Sequence, residues 1–132
     1  MAIIAGYMLP HPPLIVPEIG RGEEEVVRET IRSYEKAAAD LCSLRPETIV
    51  ITSPHSVMYS DYFHISPGRT AKGDFANFRA PQLKFQFPYD AEMVQRIGEI
   101  ADSVSFPAGT LGERDRKLDH GTLVPLYFIL KA

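Results

Sequence analysis

The chain has 132 residues, 45% hydrophobic and 23% charged, with a net charge of −3, the composition of one soluble globular domain around one core. The charge balance provides no basic surface for nucleic acid or an acidic membrane, and no apolar run reaches the roughly 18 residues of a membrane span. The single cysteine, Cys42, excludes an internal disulfide and suits a reducing cytoplasm.

Residues 1–9 are apolar but lack a basic leader and run straight into His11-Pro12-Pro13, so they are not expected to be a signal peptide. Residues 2–8, A-I-I-A-G-Y-M, read as a first buried strand. It ends in L-P-H-P-P, where Pro10, Pro12 and Pro13 forbid a helix and favour a stiff loop. His11 sits inside that loop. It either points at water from a simple turn or is held by rigid backbone at low entropic cost, as a metal ligand would be.

After a break at Gly20 and Gly22, residues 23–44 predict a long amphipathic helix. Val27, Ile31, Tyr34, Ala38 and Leu41 recur at three- and four-residue steps. Glu23, Glu24 and Glu25 lie in its first turn, where carboxylates meet the positive end of the helix dipole. Cys42 falls near the apolar stripe as a small core residue.

Within residues 48–55, T-I-V-I-T-S-P-H, the run Ile49-Val50-Ile51 reads as a strand buried on both faces, with Pro46 just before the stretch and Pro54 just after the run. The run delivers Ser53 and His55 just past the strand's carboxyl end, where open α/β sheets bind ligands. Strand, helix and strand predict a right-handed βαβ unit. Residues 61–66 alternate as a half-buried strand that puts His64 on the more polar face, where a structural role is expected first. Residues 67–74 read as a loop. Its Arg69 and Lys72 are explained equally by an anionic substrate and by solvated surface charge.

A second alternation, Leu83, Phe85 and Phe87, follows Pro81. Asp90 is expected to cap a helix over 91–101, with Met93, Val94, Ile97 and Ile100 inward. Residues 104–106 form a candidate short strand, and residues 108–121 an aperiodic, Gly-punctuated loop of a length that is often functional or disordered. With Thr122 as N-cap, Pro125 becomes the third residue of a helix over 123–131, where its missing N–H is tolerated. His120-Gly121 then precedes the positive end of that helix.

Three histidines, His11, His55 and His120, therefore sit in Pro- or Gly-bounded loops. Imidazole suits zinc, iron and copper, but no ligand spacing such as H-x-x-x-H is present. The strings H-P-P at 11–13, S-P-H at 53–55 and L-D-H-G-T-L-V-P-L at 118–126 are more specific. Together, and in this order, they resemble the class III extradiol ring-cleavage dioxygenases, the family of the LigB catalytic subunit and the related Memo-like proteins. The fusion-type AmmeMemoRadiSam branch looks nearest.

The resemblance implies an α/β fold with a mostly parallel sheet flanked by helices. Residues 1–132 would be the amino-terminal portion of one LigB-like domain. It implies that His11 and His55 ligate a mononuclear Fe(II), and that His120 is the acid/base serving a small aromatic diol and O2. The family's third ligand is a glutamate beyond residue 132. Glu113, Asp115 and Asp119 lie near His120, but none matches it. A chain with two protein ligands could carry zinc or no metal, and a homo-oligomer or a partner chain is expected to complete the domain. Two competing readings are a Memo-like binding or signalling module using the same pocket without ring opening, and a zinc hydrolase with open coordination positions.

Overall fold

The computed structural model describes residues 2–114 and 117–132. Its elements in chain order are a 3-10 turn Pro13–Ile15, α1 (Pro17–Gly20), a 3-10 turn Glu23–Val27, α2 (Arg28–Leu44), β1 (Phe63–His64) and β2 (Thr70–Phe75). A 3-10 turn Ala76–Phe78, β3 (Ala80–Pro88), α3 (Ala91–Ser103), β4 (Ala108–Gly109) and α4 (His120–Lys131) follow. The fold is mixed α/β, with a parallel sheet flanked by helices. Among the described residues, no helix is long and apolar enough to cross a membrane.

The helices form largely where periodicity places them. The acidic run opens the expected helix as a 3-10 turn before α2 begins at Arg28. At the far end Arg45 adopts φ 47° and donates its N–H to the Cys42 carbonyl, a left-handed stop just before Pro46. Asp90 caps α3 by accepting the Met93 N–H at 2.9 Å.

The core lies between α2, α4 and the β2–β3 hairpin. Tyr34 and Ala38 of α2 face Leu123, Val124, Tyr127 and Phe128 of α4. Tyr34 stacks on Phe128 with ring centroids 4.6 Å apart. Ile15 and Val16, just after the H-P-P loop, are fully buried in the same cluster. Each such side chain contributes roughly 1.5–3 kcal/mol on burial.

Strand placement departs from expectation. Among the described residues neither 2–8 nor 48–52 pairs as a strand, so the expected βαβ unit is not formed by those segments. A two-face buried strand needs a neighbour and a covering layer on each side, and here Ile3 is 95% and Val50 72% exposed. Side chains tether them instead. Tyr7 donates to Asp40 at 2.5 Å, and the Thr48 hydroxyl donates to Asp90.

The parallel pair forms one step later, with Phe63 opposite Ala108 and His64 opposite Gly109. Residues 104–106, expected as a strand, are the turn that ends α3, with Ser105 at φ 53°. Residues 67–74, expected as a loop, hold most of β2, which pairs antiparallel with β3. Its small inward residues, Ala71 and Gly73, conceal the alternation that Phe75 completes.

Helix α4 starts three residues earlier than expected. Asp119, not Thr122, is the N-cap, and its carboxylate accepts the Thr122 N–H. Asp is the stronger cap, and neighbouring serines hold it in place. Pro125 therefore lies inside the helix and forfeits one helical hydrogen bond, in an element whose six buried residues anchor it by packing.

Candidate metal centre

Three separate pieces of chain bring the histidines together. Pro12 and Pro13 lead from His11 into a 3-10 turn that ends in buried Ile15, which fixes the H-P-P loop against the core. His55 follows Pro54, and its N–H donates to the Ser53 hydroxyl at 3.2 Å. His120 is the first residue of α4, set by the Asp119 cap.

The ligand atoms of His11, His55 and His120 all lie within 4.8 Å of one another, and each residue is half-buried. The Nε2 atoms of His11 and His55 are 2.9 Å apart. Two imidazole nitrogens bound side by side to one ion at about 2.1 Å stand about 3.0 Å apart, so this separation fits a shared metal. The His55 and His120 rings are 4.0 Å apart at 35°, and Phe78 lies edge-on to His120 with ring centroids 5.2 Å apart at 66°. Burial lowers the His120 pKa, and the neighbouring His55 and His11 rings lower it further against the opposing pull of Asp119. Its neutral form, able to accept a proton or a metal, is favoured.

The donor set fits a divalent transition metal with open positions. Among the described residues the cluster contains no carboxylate. Asp119 is committed elsewhere: it accepts from Ser53 at 2.6 Å, from Ser56 at 3.2 Å and from the Thr122 N–H. Burial pushes its pKa up, but these donors and the Gly121 N–H more than offset it, and the carboxyl stays below its ordinary range. Glu113 lies on a neighbouring cleft, and Asp115 lies outside the described residues.

Sequence reasoning did not assign Asp119, Ser53, Ser56 and Gly121 their positioning roles. A Cβ on Gly121 would stand 2.5 Å from Ser53 Oγ and 3.0 Å from His55 Cδ2, so only glycine lets α4 approach the S-P-H loop. The available signal was position: Ser53 lies two residues before one histidine, and Asp119 and Gly121 flank another. His64 does not join the cluster. It sits on β1, half-buried, edge-on to Tyr59 at 5.5 Å.

The H-P-P, S-P-H and D-H-G loops thus gather three imidazoles around one point of an α/β fold, a donor set that could hold a metal ion. The family described as the catalytic LigB subunit of aromatic ring-opening dioxygenase matches residues 5–132. The chain belongs to that family, within the class III extradiol dioxygenase superfamily. It is 38% identical over 138 residues to Protein CA_C1420 of Clostridium acetobutylicum, covering 99% of this chain and 30% of that protein. It is 26% identical over 140 residues to the 2-aminophenol 1,6-dioxygenase beta subunit of a Pseudomonas species, covering 96% of this chain and 44% of that protein. The chain thus spans less than half the length of these curated relatives. No solved structure matches it significantly.

Proposed function

We propose that this chain contributes the histidine half of a non-haem Fe(II) centre for extradiol cleavage of a catechol-type ring with O2. His11 and His55 are the ligands, and His120 is the acid/base. The observation that carries the reading is the 2.9 Å approach of the His11 and His55 Nε2 atoms, with His120 inside the same 4.8 Å cluster.

Iron held there would supply the Lewis acidity and oxygen binding that ring cleavage requires. The protein's own work is positional. Asp119 anchors the first turn of α4 and so orients His120, whose neutral ring takes a hydroxyl proton from the diol and later returns it. Phe78, packed on His120, excludes water from one side of the ring.

The third ligand is assigned to a partner polypeptide or a second copy that completes the domain. The description of the Pseudomonas relative as a beta subunit supports this. A reducing cytoplasm, consistent with the single free Cys42, would keep iron ferrous.

Elemental analysis after anaerobic Fe(II) loading, paired with oxygen uptake on catechol, tests the assignment. His11→Ala and His55→Ala should lose the metal, whereas His120→Ala should retain it and lose turnover. Equal metal loss in all three variants would make His120 a ligand. Reversible catechol binding without oxygen uptake, even with the partner present, would favour a binding module instead.

A further inference from the structure

Two stretches of the chain run side by side from the histidine cluster into the core. His11 and Glu18 are seven residues apart, and so are His120 and Tyr127. At one end the His11 and His120 ring centroids stand 5.7 Å apart. In the middle Ile15 and Val16, fully buried, share one cluster with Leu123 and Val124. At the other end the Tyr127 hydroxyl donates to Glu18 Oε2 at 2.6 Å. Such a spacing is two turns of α-helix, so His120 and Tyr127 lie on one face of α4, about 10 Å apart along its axis.

The far end is joined by a charged network. Tyr127 is 3% exposed, and its hydroxyl donates to Glu18 and accepts from the Lys131 ammonium. Lys131 also stands 3.7 Å from Glu18 Oε1. Burial raises the Tyr127 pKa and the bond to Glu18 raises it further, so the hydroxyl remains a donor. Burial would raise the Glu18 pKa too, but Tyr127, the Glu18 backbone N–H and Lys131 outweigh it and hold the carboxyl below its ordinary range. A hydroxyl bonded to a carboxylate in this way is strong and directional.

The apolar contacts between the two ends specify less. Burial is non-directional, so the packing of Ile15 and Val16 fixes their proximity to α4 more firmly than their register along it. Pro125 adds to this. It cannot bond the Gly121 carbonyl, which ties the turn carrying His120 less tightly to the turn carrying Tyr127.

We infer that Glu18 and Tyr127 are positioning residues: their hydrogen bond sets the register of the H-P-P segment along α4, and through it the spacing of His11 and His120. The use of that spacing at a metal rests on the Fe(II) reading above, whereas the spacing itself is a property of the metal-free chain.

Two measurements on the full chain keep these apart. In metal-free protein, the NMR cross-peak between the His11 and His120 ring protons should be lost in Tyr127→Phe and in Glu18→Ala. It should persist in Glu18→Gln, whose amide oxygen still accepts from Tyr127. In an anaerobic Co(II) titration followed by visible absorption, Tyr127→Phe and Glu18→Ala should bind the ion about three- to tenfold more weakly, with an altered spectrum, and Glu18→Gln should bind as the parent does. Ile31→Val, which trims the same core from α2, should lower the unfolding midpoint and leave both readings unchanged.

A cross-peak and a Co(II) affinity that both survive Tyr127→Phe overturn the inference. So does an equal loss in Ile31→Val, because weakened packing alone would then account for it. Loss in Glu18→Gln as large as in Glu18→Ala overturns the hydrogen bond as the cause. A chain that takes up no Co(II), yet loses the cross-peak in Tyr127→Phe and keeps it in Ile31→Val, supports the positioning role and removes the metal reading.

Discussion

The histidine loops and the apolar stretches that lead into them adjoin in the chain but are held in opposite ways. Residues 53–56 and 119–121 are bound by short polar contacts: Ser53 and Ser56 on Asp119, the Asp119 cap on α4, and a glycine where a side chain would collide. Residues 2–8 and 48–52 carry the apolar runs, yet Ile3, Ile4 and Val50 stand largely in solvent. The site is thus organised by contacts within this chain. The apolar runs present a surface that only another layer could bury, as the partner reading requires.

Substitutions should divide the molecule along that line. The largest stability effect is expected in the α2–α4 core. Phe128→Ala removes a ring that is 5% exposed and stacked on Tyr34, and should cost about 3–5 kcal/mol in denaturant unfolding. Val50→Ala, at a residue 72% exposed, should change stability by less than about 0.5 kcal/mol. A large Val50 effect in the isolated chain would mean that the apolar run is already covered.

The next effect is expected at Gly121. Its Cβ in Gly121→Ala would meet the Ser53 hydroxyl, the Asp119 carboxylate and the His55 ring. The crowding should cost about 1–3 kcal/mol, and displacement of His55 should weaken metal binding about tenfold or more. Gly98, which has open space around its Cβ position, is the control: Gly98→Ala, inside α3, should stabilise by about 0.5–1 kcal/mol.

The smallest effect is expected at Asp119 and should appear in its pH dependence. The folded protein holds this carboxyl below its ordinary value of 3.8. The folded state therefore binds its proton less readily than the unfolded chain. The resulting stabilisation is complete above that value and is lost as pH falls through the folded pKa. Asp119→Asn keeps an N-cap but removes the charge, at a cost of about 1 kcal/mol near neutrality. Thermal unfolding from pH 7 down to pH 2 should show the variant and parent converging below about pH 3.8. A constant gap across that range would mean that the Asp119 charge does not stabilise the fold.

Much of the helical framework and the three histidines were legible in the sequence because their signals are local. The 3.6-residue spacing of Tyr34 and Ala38 marks the buried face of α2 wherever the helix packs, and Asp90 caps α3 through a bond three residues long. Prolines around His11 and before His55 stiffen those loops whatever lies opposite. The family strings likewise survive as strings, so they mark His11, His55 and His120 without any distance.

Other features were decided only in three dimensions. An apolar run such as Ile49-Val50-Ile51 has the composition of a buried strand, but pairing depends on a neighbour and burial on a covering layer, and neither is encoded in the run. The small residues of β2 acquire a face only when β3 lies opposite and Leu118 and Leu123 close over Gly73. Asp119 could have been a metal ligand, a cap or a solvated charge. The approach of Ser53 and Ser56, more than sixty positions away in the chain, made it the cap that aims His120. Lys72 read equally as a contact for an anionic substrate and as solvated surface charge, and only folding set it beside Arg114 on one cleft, because charges far apart in the chain share a field only after it has closed.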